Sequence, residues 1–279
     1  MTLHANAFAI NSYSYIFTHT ARDFLDHLAS QGYSKFELML FPGHLWPADF
    51  DAGARRSLRE HIASRELQVL TLNMPAIDIN IAAATREMRE YSLSIISQGV
   101  VLAGDLGIPA ILLGPGKPNP LFPMPRERMM EYFYAALEKF VPLAQQCGTR
   151  ILIENIPIAF LPDADSLMSA LDGYGNEDIG VVYDIANAVF HREDPLAGLR
   201  RVKHRLQLIH VSDTGHQAYR HDPVGTGIVP FADVPPVLDE IGYEQLPMLE
   251  IIARDPDQGI ASSVEKLAEM RWVRNKQGI

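Results

Sequence analysis

The sequence predicts an α/β protein, a single-domain (β/α)8 TIM barrel. Short apolar runs rich in β-branched residues alternate with longer segments of helical period, which is the pattern of βα units around a parallel sheet. The alternation repeats eight times within 279 residues, and about 250 residues is the usual size of such a barrel. No Gly/Ser linker or charge block divides the chain, so we expect one domain over residues 1–279.

Each predicted strand is a short apolar run bounded by turn or capping residues. The predicted strands cover residues 7–12, 35–40, 68–73, 109–114, 150–154, 179–184, 206–210 and 247–251. An open, doubly wound sheet is the alternative arrangement of the same units. It is disfavoured because the first strand is not followed by G-x-G-x-x-G and no G-x-x-x-x-G-K-[ST] phosphate loop is present.

The helices are predicted from apolar residues spaced three to four apart and from their end signals. They cover residues 20–32, 51–66, 85–106, 125–148, 165–171, 195–204, 231–241 and 260–273. Thr20 is a capping residue, Gly32 is a C-terminal glycine, and Pro125 suits a first turn. Pro142 inside the fourth helix predicts a kink.

Composition and charge exclude several classes of function. Lys and Arg number 24 against 34 Asp and Glu, a net charge of -10, which argues against nucleic acid and anionic lipid as partners. One cysteine, Cys147, supports neither a disulfide framework nor a cysteine-rich zinc site. No secretory signal and no apolar run of about 20 residues is present. We therefore expect a cytoplasmic protein, away from membranes, with a small-molecule partner.

Four polar residues end the last four predicted strands, where side chains of such barrels point into the active site. They are Glu154, Asp184, His210 and Glu250, separated by 30, 26 and 40 residues. Taken alone, such a glutamate is more often a helix cap or a surface charge than a ligand, and such a histidine is more often a structural residue. Together they predict one divalent-metal site, since three neighbouring carboxylates are costly to bury without a cation. This hard donor set suits Mn²⁺ or Mg²⁺, with Co²⁺ or Zn²⁺ as alternatives.

The segments around these residues resemble the motifs of the xylose isomerase-like TIM barrel superfamily. The motifs are ILIEN at 151–155, YDIAN at 183–187, IHVSD at 209–213, GTG at 225–227 and LE at 249–250. That group includes tagatose and psicose 3-epimerases, hydroxypyruvate isomerase, inosose and 3-dehydroshikimate dehydratases and endonuclease IV. The resemblance implies that the four residues bind one divalent metal ion, that Glu154 and Glu250 also transfer protons, and that a homodimer or homotetramer forms.

The resemblance to the ketose 3-epimerases breaks at two positions. Asn187 stands where those enzymes carry a substrate-binding histidine, three residues after the metal-binding aspartate. Phe160 stands where a second glutamate follows the metal-binding glutamate by six residues. We retain Asn187 as a substrate-binding candidate, with a turn residue as its alternative.

The site predicts an isomerase or epimerase of a sugar or related hydroxy-ketone, in which the metal stabilises an enediolate. Glu154 or Glu250 removes a proton, and the other returns it to another face or carbon. A lyase of the inosose or dehydroshikimate dehydratase kind is the nearest alternative, because loss of a β-hydroxyl uses the same intermediate. Endonuclease IV-like repair predicts more histidine ligands and a basic face. A degenerate barrel that only binds a metabolite is the remaining hypothesis.

Candidate substrate contacts in the first half of the chain lie near predicted strand ends. Glu37 and Asn73 reach the mouth from the side opposite the ligands, with a structural ion pair or hydrogen bond as the alternative for Glu37. His44 and Trp46 form a loop anchored by its own aromatic residue or, as the alternative, a lid wall against the substrate. Lys117 follows the fourth strand and binds an anion or lies in solvent.

In the second half, the segment 213–222 forms a long loop in which we expect substrate specificity to be set. Asp213 orients substrate, fixes a histidine or caps a turn. Arg220 is the preferred anion or hydroxyl contact, with a surface role as its alternative, and His216 and His221 lie in the same loop.

Overall fold

A computed structural model of the protein describes residues 4–75 and 78–273. Eight parallel strands close into a barrel in chain order, with the last strand paired to the first. The strands are β1 (Ala9–Asn11), β2 (Lys35–Met39), β3 (Gln68–Asn73), β4 (Ala110–Leu113), β5 (Arg150–Glu154), β6 (Gly180–Asp184), β7 (Leu206–Val211) and β8 (Met248–Leu249). This confirms the (β/α)8 barrel.

The helices surround the barrel in the order that the sequence predicts. They are α1 (Ala21–Ser30), α2 (Ala52–Ser64), α3 (Arg86–Leu106), α4 (Arg126–Cys147), α5 (Ala164–Tyr174), α6 (Ile185–Phe190), α7 (Pro195–Val202), α8 (Val234–Glu240) and α9 (Pro256–Glu269). Within the described ranges, no helix combines the length and the apolar character needed to cross a bilayer.

The structure differs from the predicted elements mainly at their ends. Helix α6 was not predicted; it follows β6 directly because the Asp184 side chain caps it by accepting from the backbone N–H of Asn187. Helix α9 begins at Pro256 because Asp255 caps it and proline is well suited to a first turn. Helix α4 continues past Pro142 to Cys147.

The barrel interior and the helix-facing layer are separate packing regions. The interior cluster holds Ala9, Ala110, Leu112, Leu152, Val182, Leu208 and Met248, with Leu70 packed against it. Because side chains alternate between the two faces of a strand, the residue two positions later also points inward. That position is Glu154 after Leu152, Asp184 after Val182, His210 after Leu208 and Glu250 after Met248. Strand periodicity therefore brings the four predicted ligands to one interior layer.

Candidate metal centre

The four predicted ligands converge at the carboxyl ends of β5, β6, β7 and β8. Glu154, Asp184, His210 and Glu250 each offer a ligand atom, and these atoms lie within 4.8 Å of one another. All four residues are buried. The arrangement is a compact set of three carboxylates and one imidazole.

One imidazole nitrogen faces all three carboxylates. His210 Nδ1 lies 3.1 Å from Glu154 Oε1, 3.3 Å from Glu250 Oε2 and 3.9 Å from Asp184 Oδ2. Asp184 is held by its backbone, since Asn155 accepts from its N–H at 2.8 Å and donates to its carbonyl at 3.0 Å. These contacts orient the ligands toward a common point.

Burial and mutual contact shift the pKa values of the groups in this cluster. Burial raises the pKa of Glu154 and of Asp184, and the neighbouring carboxylates add to the effect. Burial also opposes ionisation of Glu250, but the imidazoles of His210 and His221 outweigh it and lower the pKa of this carboxyl group. For His210, burial disfavours the imidazolium, yet Glu37 and Glu250 hold its pKa well above the usual value.

A divalent cation fits this set of donors. The Asp184 Oδ2 atom is buried and has no hydrogen-bond partner, although Oδ1 of the same group accepts from the Asn187 N–H at 2.7 Å. An unpartnered carboxylate oxygen is costly to bury unless it binds a cation. Three carboxylates and one imidazole are ligands that Mn²⁺ and Mg²⁺ accept, and that Co²⁺ and Zn²⁺ also accept.

A mouth cavity of about 100 Å³ opens onto two of the ligands, Glu154 and Glu250. Its remaining lining consists of Tyr13, Met39, Asn73, Met74, Pro75, Ile156, Ile158, Tyr219 and His221. Burial, together with the charges of Glu250 and Glu154, raises the pKa of Tyr13 to about 12, so its hydroxyl keeps its proton at neutral pH. Most of the wall is therefore apolar or aromatic, and Tyr13 adds a hydrogen-bond donor beside the carboxylates.

His221 is a site residue to which the sequence assigned no role. Its Nδ1 lies 3.3 Å from Glu250 Oε2, 3.5 Å from Asp184 Oδ2 and 3.0 Å from Ser212 Oγ. His221 lies beside these carboxylates because Asp213 and Asp222 pair as an antiparallel bridge, which folds the loop back over the strand ends. The sequence showed only a histidine in a long loop, and nothing local signals that bridge.

Asp213 organises the same loop from a buried position. Its Oδ2 accepts from the N–H groups of Gly225, Thr226 and Gly227 at 2.8, 3.0 and 2.8 Å. Its Oδ1 accepts from the N–H groups of Thr214 and Val229 at 2.9 and 3.2 Å. Among the predicted roles of Asp213, these contacts are those of turn capping. The GTG segment at 225–227 supplies three of the N–H groups that surround the Asp213 carboxylate.

Three further candidates are buried or half-buried. His44 is buried with both ring nitrogens engaged, Nε2 with Ser12 Oγ at 2.8 Å and Nδ1 with the His19 carbonyl at 2.7 Å. Trp46 is half-buried and packs against the core. Asn187 lies in α6, and its side-chain Oδ1 is buried without a hydrogen bond. His44 and Trp46 do not line the mouth cavity.

The two predicted basic contacts also lie outside the cavity lining. Arg220 is exposed, with its guanidinium 3.8 Å from Asp222. Lys117 is half-buried, its backbone is tied to Asn80, and burial lowers the pKa of its ammonium group despite the nearby Asp78. Their roles in substrate binding stay predictions. Glu37, by contrast, is fully buried beneath the site, next to His210.

A family model described as xylose isomerase-like TIM barrel matches residues 25–272 of the chain. A relative from Methanocaldococcus jannaschii, the uncharacterized protein MJ1311, is 22% identical over 188 residues. That match covers 65% of this chain and 64% of the relative, so it spans less than two thirds of the relative's length.

Solved structures of similar fold include sugar epimerases. A D-tagatose 3-epimerase-like protein superposes with a TM-score of 0.81 at 19% identity, covering 95% of this chain and 96% of that one. The D-psicose 3-epimerase of Clostridium cellulolyticum H10 gives a TM-score of 0.79 at 14% identity, with 95% and 98% covered. An L-ribulose 3-epimerase gives 0.74 at 20% identity, with 98% and 99% covered. At these identities the likeness shows the fold.

Proposed function

Since the chain belongs to the xylose isomerase-like TIM barrel family, we propose that it is a divalent-metal-dependent isomerase or epimerase of a small sugar or related hydroxy-ketone. The observation that carries the proposal is the cluster of Glu154, Asp184, His210 and Glu250, with ligand atoms within 4.8 Å of one another. The sugar epimerases among the similar structures support the reaction class. The family assignment rests on the match over residues 25–272.

The four ligands would hold one cation, Mn²⁺ or Mg²⁺ first, with Co²⁺ or Zn²⁺ as alternatives. When bound, the cation supplies Lewis-acid stabilisation of the negative charge that develops on the two oxygens of an enediolate. Glu154 and Glu250 reach the site from β5 and β8, and both line the mouth cavity. Their positions suit two proton transfers to and from one substrate.

The reaction then consists of two proton transfers at carbon. One glutamate takes the proton from the carbon next to the substrate carbonyl; the C–H electron pair forms the C=C bond of the enediolate, and the carbonyl π pair moves onto its oxygen. The other glutamate donates a proton to carbon and the C=O bond forms again. The proton goes to the opposite face of the same carbon for epimerisation, or to the former carbonyl carbon for isomerisation, in which the hydroxyl proton of the first carbon also moves to the former carbonyl oxygen. Exchange with water between turnovers restores both carboxyl groups, so solvent hydrogen enters the product.

The cavity chemistry favours an uncharged substrate. Neither Lys nor Arg is among the described residues that line the mouth, whereas Met39, Met74, Ile156 and Ile158 form apolar walls. A phosphate ester needs charge-assisted donors such as arginine. We therefore expect a free ketose to react with a kcat/KM at least tenfold above that of its phosphate ester.

Deuterium exchange tests the reaction class whichever product forms. Metal-stripped protein is reloaded with Mn²⁺ and incubated in D₂O with D-tagatose, D-psicose or L-ribulose, and proton NMR follows the C–H next to the carbonyl. We expect that signal to disappear with the loaded protein and to persist with the stripped protein. Conversion detected by chromatography then separates epimers from isomers.

Two results would change the proposal. A rise in ultraviolet absorbance from a conjugated enone with inosose, or from an aromatic product with 3-dehydroshikimate, assigns the site to a lyase with the same proton abstraction. If the protein binds none of the four cations and exchanges no hydrogen in ketoses of four to seven carbons, the isomerase proposal fails. Glu240→Gln, a change at an exposed ion pair with Arg200, is the control variant with full activity.

A further inference from the structure

Glu37 is a buried carboxylate for which the proposed reaction has no use. It lies in β2, on the side of the barrel opposite the ligand strands, and is 0% exposed. Asn11 donates to its Oε1 at 2.5 Å, Asn73 donates to the same oxygen at 3.1 Å, and Thr71 donates to Oε2. Three donors from the neighbouring strands therefore hold both of its oxygens in place.

All three donors are neutral, which makes a charged residue at this position expensive. A carboxylate buried among neutral donors loses its hydration without gaining an ion pair, whereas a glutamine of the same shape keeps an acceptor at lower cost. A purely structural role gives no reason for the charge. The reason for a carboxylate at position 37 therefore has to be sought in the ionisable nitrogen that contacts it.

That nitrogen belongs to a ligand of the proposed metal site. His210 Nε2 lies 3.1 Å from Glu37 Oε1, and both side chains are 0% exposed. The approach falls outside hydrogen-bond geometry, so Nε2 is a buried polar atom without a hydrogen bond. The other ring nitrogen, Nδ1, faces Glu154, Asp184 and Glu250. His210 thus lies between the ligand carboxylates and Glu37.

A histidine that binds a cation through Nδ1 carries its proton on Nε2 and needs an acceptor there. Ligand histidines regularly donate their second N–H to a carboxylate, which fixes the tautomer and ring orientation and raises the basicity of the ligating nitrogen. Among the described residues, Glu37 is the group within ion-pair distance of Nε2. The three donors of Glu37 fix that acceptor independently of His210.

We propose that Glu37 is a positioning residue that sets the tautomer and ring orientation of His210 for the cation and does not touch substrate. The proposal rests on the metal site of the proposed function. Direct contact with substrate is disfavoured by burial, since the neighbouring Met39 and Asn73 line the mouth cavity and Glu37 does not. Glu37 therefore acts through His210 alone.

The test compares the Mn²⁺ dissociation constant of three full-length proteins: wild type, Glu37→Gln and Glu193→Gln. Glu193 is the control because it is a half-buried glutamate whose pKa burial raises to about 7, and its Oε1 accepts from the Ala164 N–H. We expect Glu37→Gln to bind Mn²⁺ about 10–100-fold more weakly in competition with a chelator. Glu193→Gln should stay within twofold of wild type.

The absorption spectrum of the Co²⁺-loaded proteins gives a second readout that does not depend on activity. Reorientation of His210 changes the ligand field, so the d–d bands of Glu37→Gln should shift while those of Glu193→Gln match wild type. Circular dichroism and thermal unfolding of the metal-free proteins report on folding separately. A third variant, Thr71→Val, removes one donor to Glu37 and should change the dissociation constant less than Glu37→Gln does.

The outcomes separate this inference from the proposed function. If wild type binds one Mn²⁺ and Glu37→Gln binds it within twofold, with the same Co²⁺ spectrum, Glu37 is structural and the inference is overturned while the metal site stands. A lower unfolding temperature of metal-free Glu37→Gln with an unchanged dissociation constant leads to the same conclusion. If wild type takes up neither Mn²⁺ nor Co²⁺, the proposed function fails and the inference falls with it.

Discussion

The two halves of the barrel both carry polar side chains at the carboxyl ends of their strands but use them differently. In the first half, Asn11 ends β1, Asn73 ends β3, and both donate to Glu37, the middle residue of β2. In the second half, the polar strand ends of β5, β6, β7 and β8 are three carboxylates and one imidazole that face a common point.

The difference lies in how each half satisfies its polar groups. Asn11 and Asn73 are amides that donate hydrogen bonds to Glu37. The polar groups of the first half therefore have hydrogen-bond partners within the protein. The carboxylates of the second half are acceptors only, and Asp184 Oδ2 accepts no hydrogen bond. The polar groups thus form a hydrogen-bonded network on one side and a candidate cation site on the other. His210 contacts both, and Asn11 donates both to Glu37 and to Glu250.

The largest expected effect comes from removing the proton-transfer groups of the second half. Glu154→Gln and Glu250→Gln should each lower kcat by about 10²–10⁴-fold, since each variant loses a general acid or base. Measurement of kcat with the best ketose at saturating Mn²⁺ checks this, and Glu240→Gln is the control. Retention of more than a tenth of wild-type kcat by either variant would show that it transfers no proton.

Removal of the His210 imidazole should weaken Mn²⁺ binding more than it destabilises the fold. Wild-type protein at a Mn²⁺ concentration 100 times the dissociation constant should gain about 2.7 kcal/mol of unfolding free energy. His210→Ala should lose most of that gain, whereas His216→Ala, at an exposed position in the neighbouring loop, should keep it. Chemical unfolding with and without Mn²⁺ checks both. An equal gain in both variants would place the cation elsewhere.

A smaller effect is expected for Asp213, which holds the loop at residues 213–222 in place. Asp213→Asn replaces an acceptor of five backbone N–H groups by an amide with one acceptor oxygen. We expect a loss of about 3 kcal/mol of unfolding free energy, because buried donors lose their partners. Urea unfolding measures it, with Asp222→Asn in the same loop as the control. A change below about 0.5 kcal/mol would be that of an ordinary surface position.

The smallest effect is expected for Arg220→Ala. The guanidinium is exposed and paired with Asp222 at 3.8 Å, and exposed ion pairs contribute about 0–1 kcal/mol. We expect kcat/KM to stay within threefold of wild type. A rise in KM of tenfold or more, with unchanged kcat, would show that Arg220 binds substrate and that the loop moves over the mouth when substrate is present.

Much of the fold was predictable because strand and helix periodicities are local. The four ligands followed from the same periodicity, since each lies two residues after an inward-facing apolar residue. Helix α6 was missed because its six residues are too few to show a period, and its cap, Asp184, is also a predicted ligand. His221 was unassigned because its place depends on the pairing of Asp213 with Asp222.

The sequence by itself determined the barrel, the inward layer of polar strand ends and the residue types that favour a cation, because each depends on spacing along one strand and on side-chain chemistry. The tertiary structure decided which polar groups pair with which. The sequence alone left open whether Glu37 contacts substrate or other protein groups. The closed barrel brings it next to His210, 173 residues later in the chain. Such contacts are set by strand order and register across the barrel interior, which no local pattern encodes.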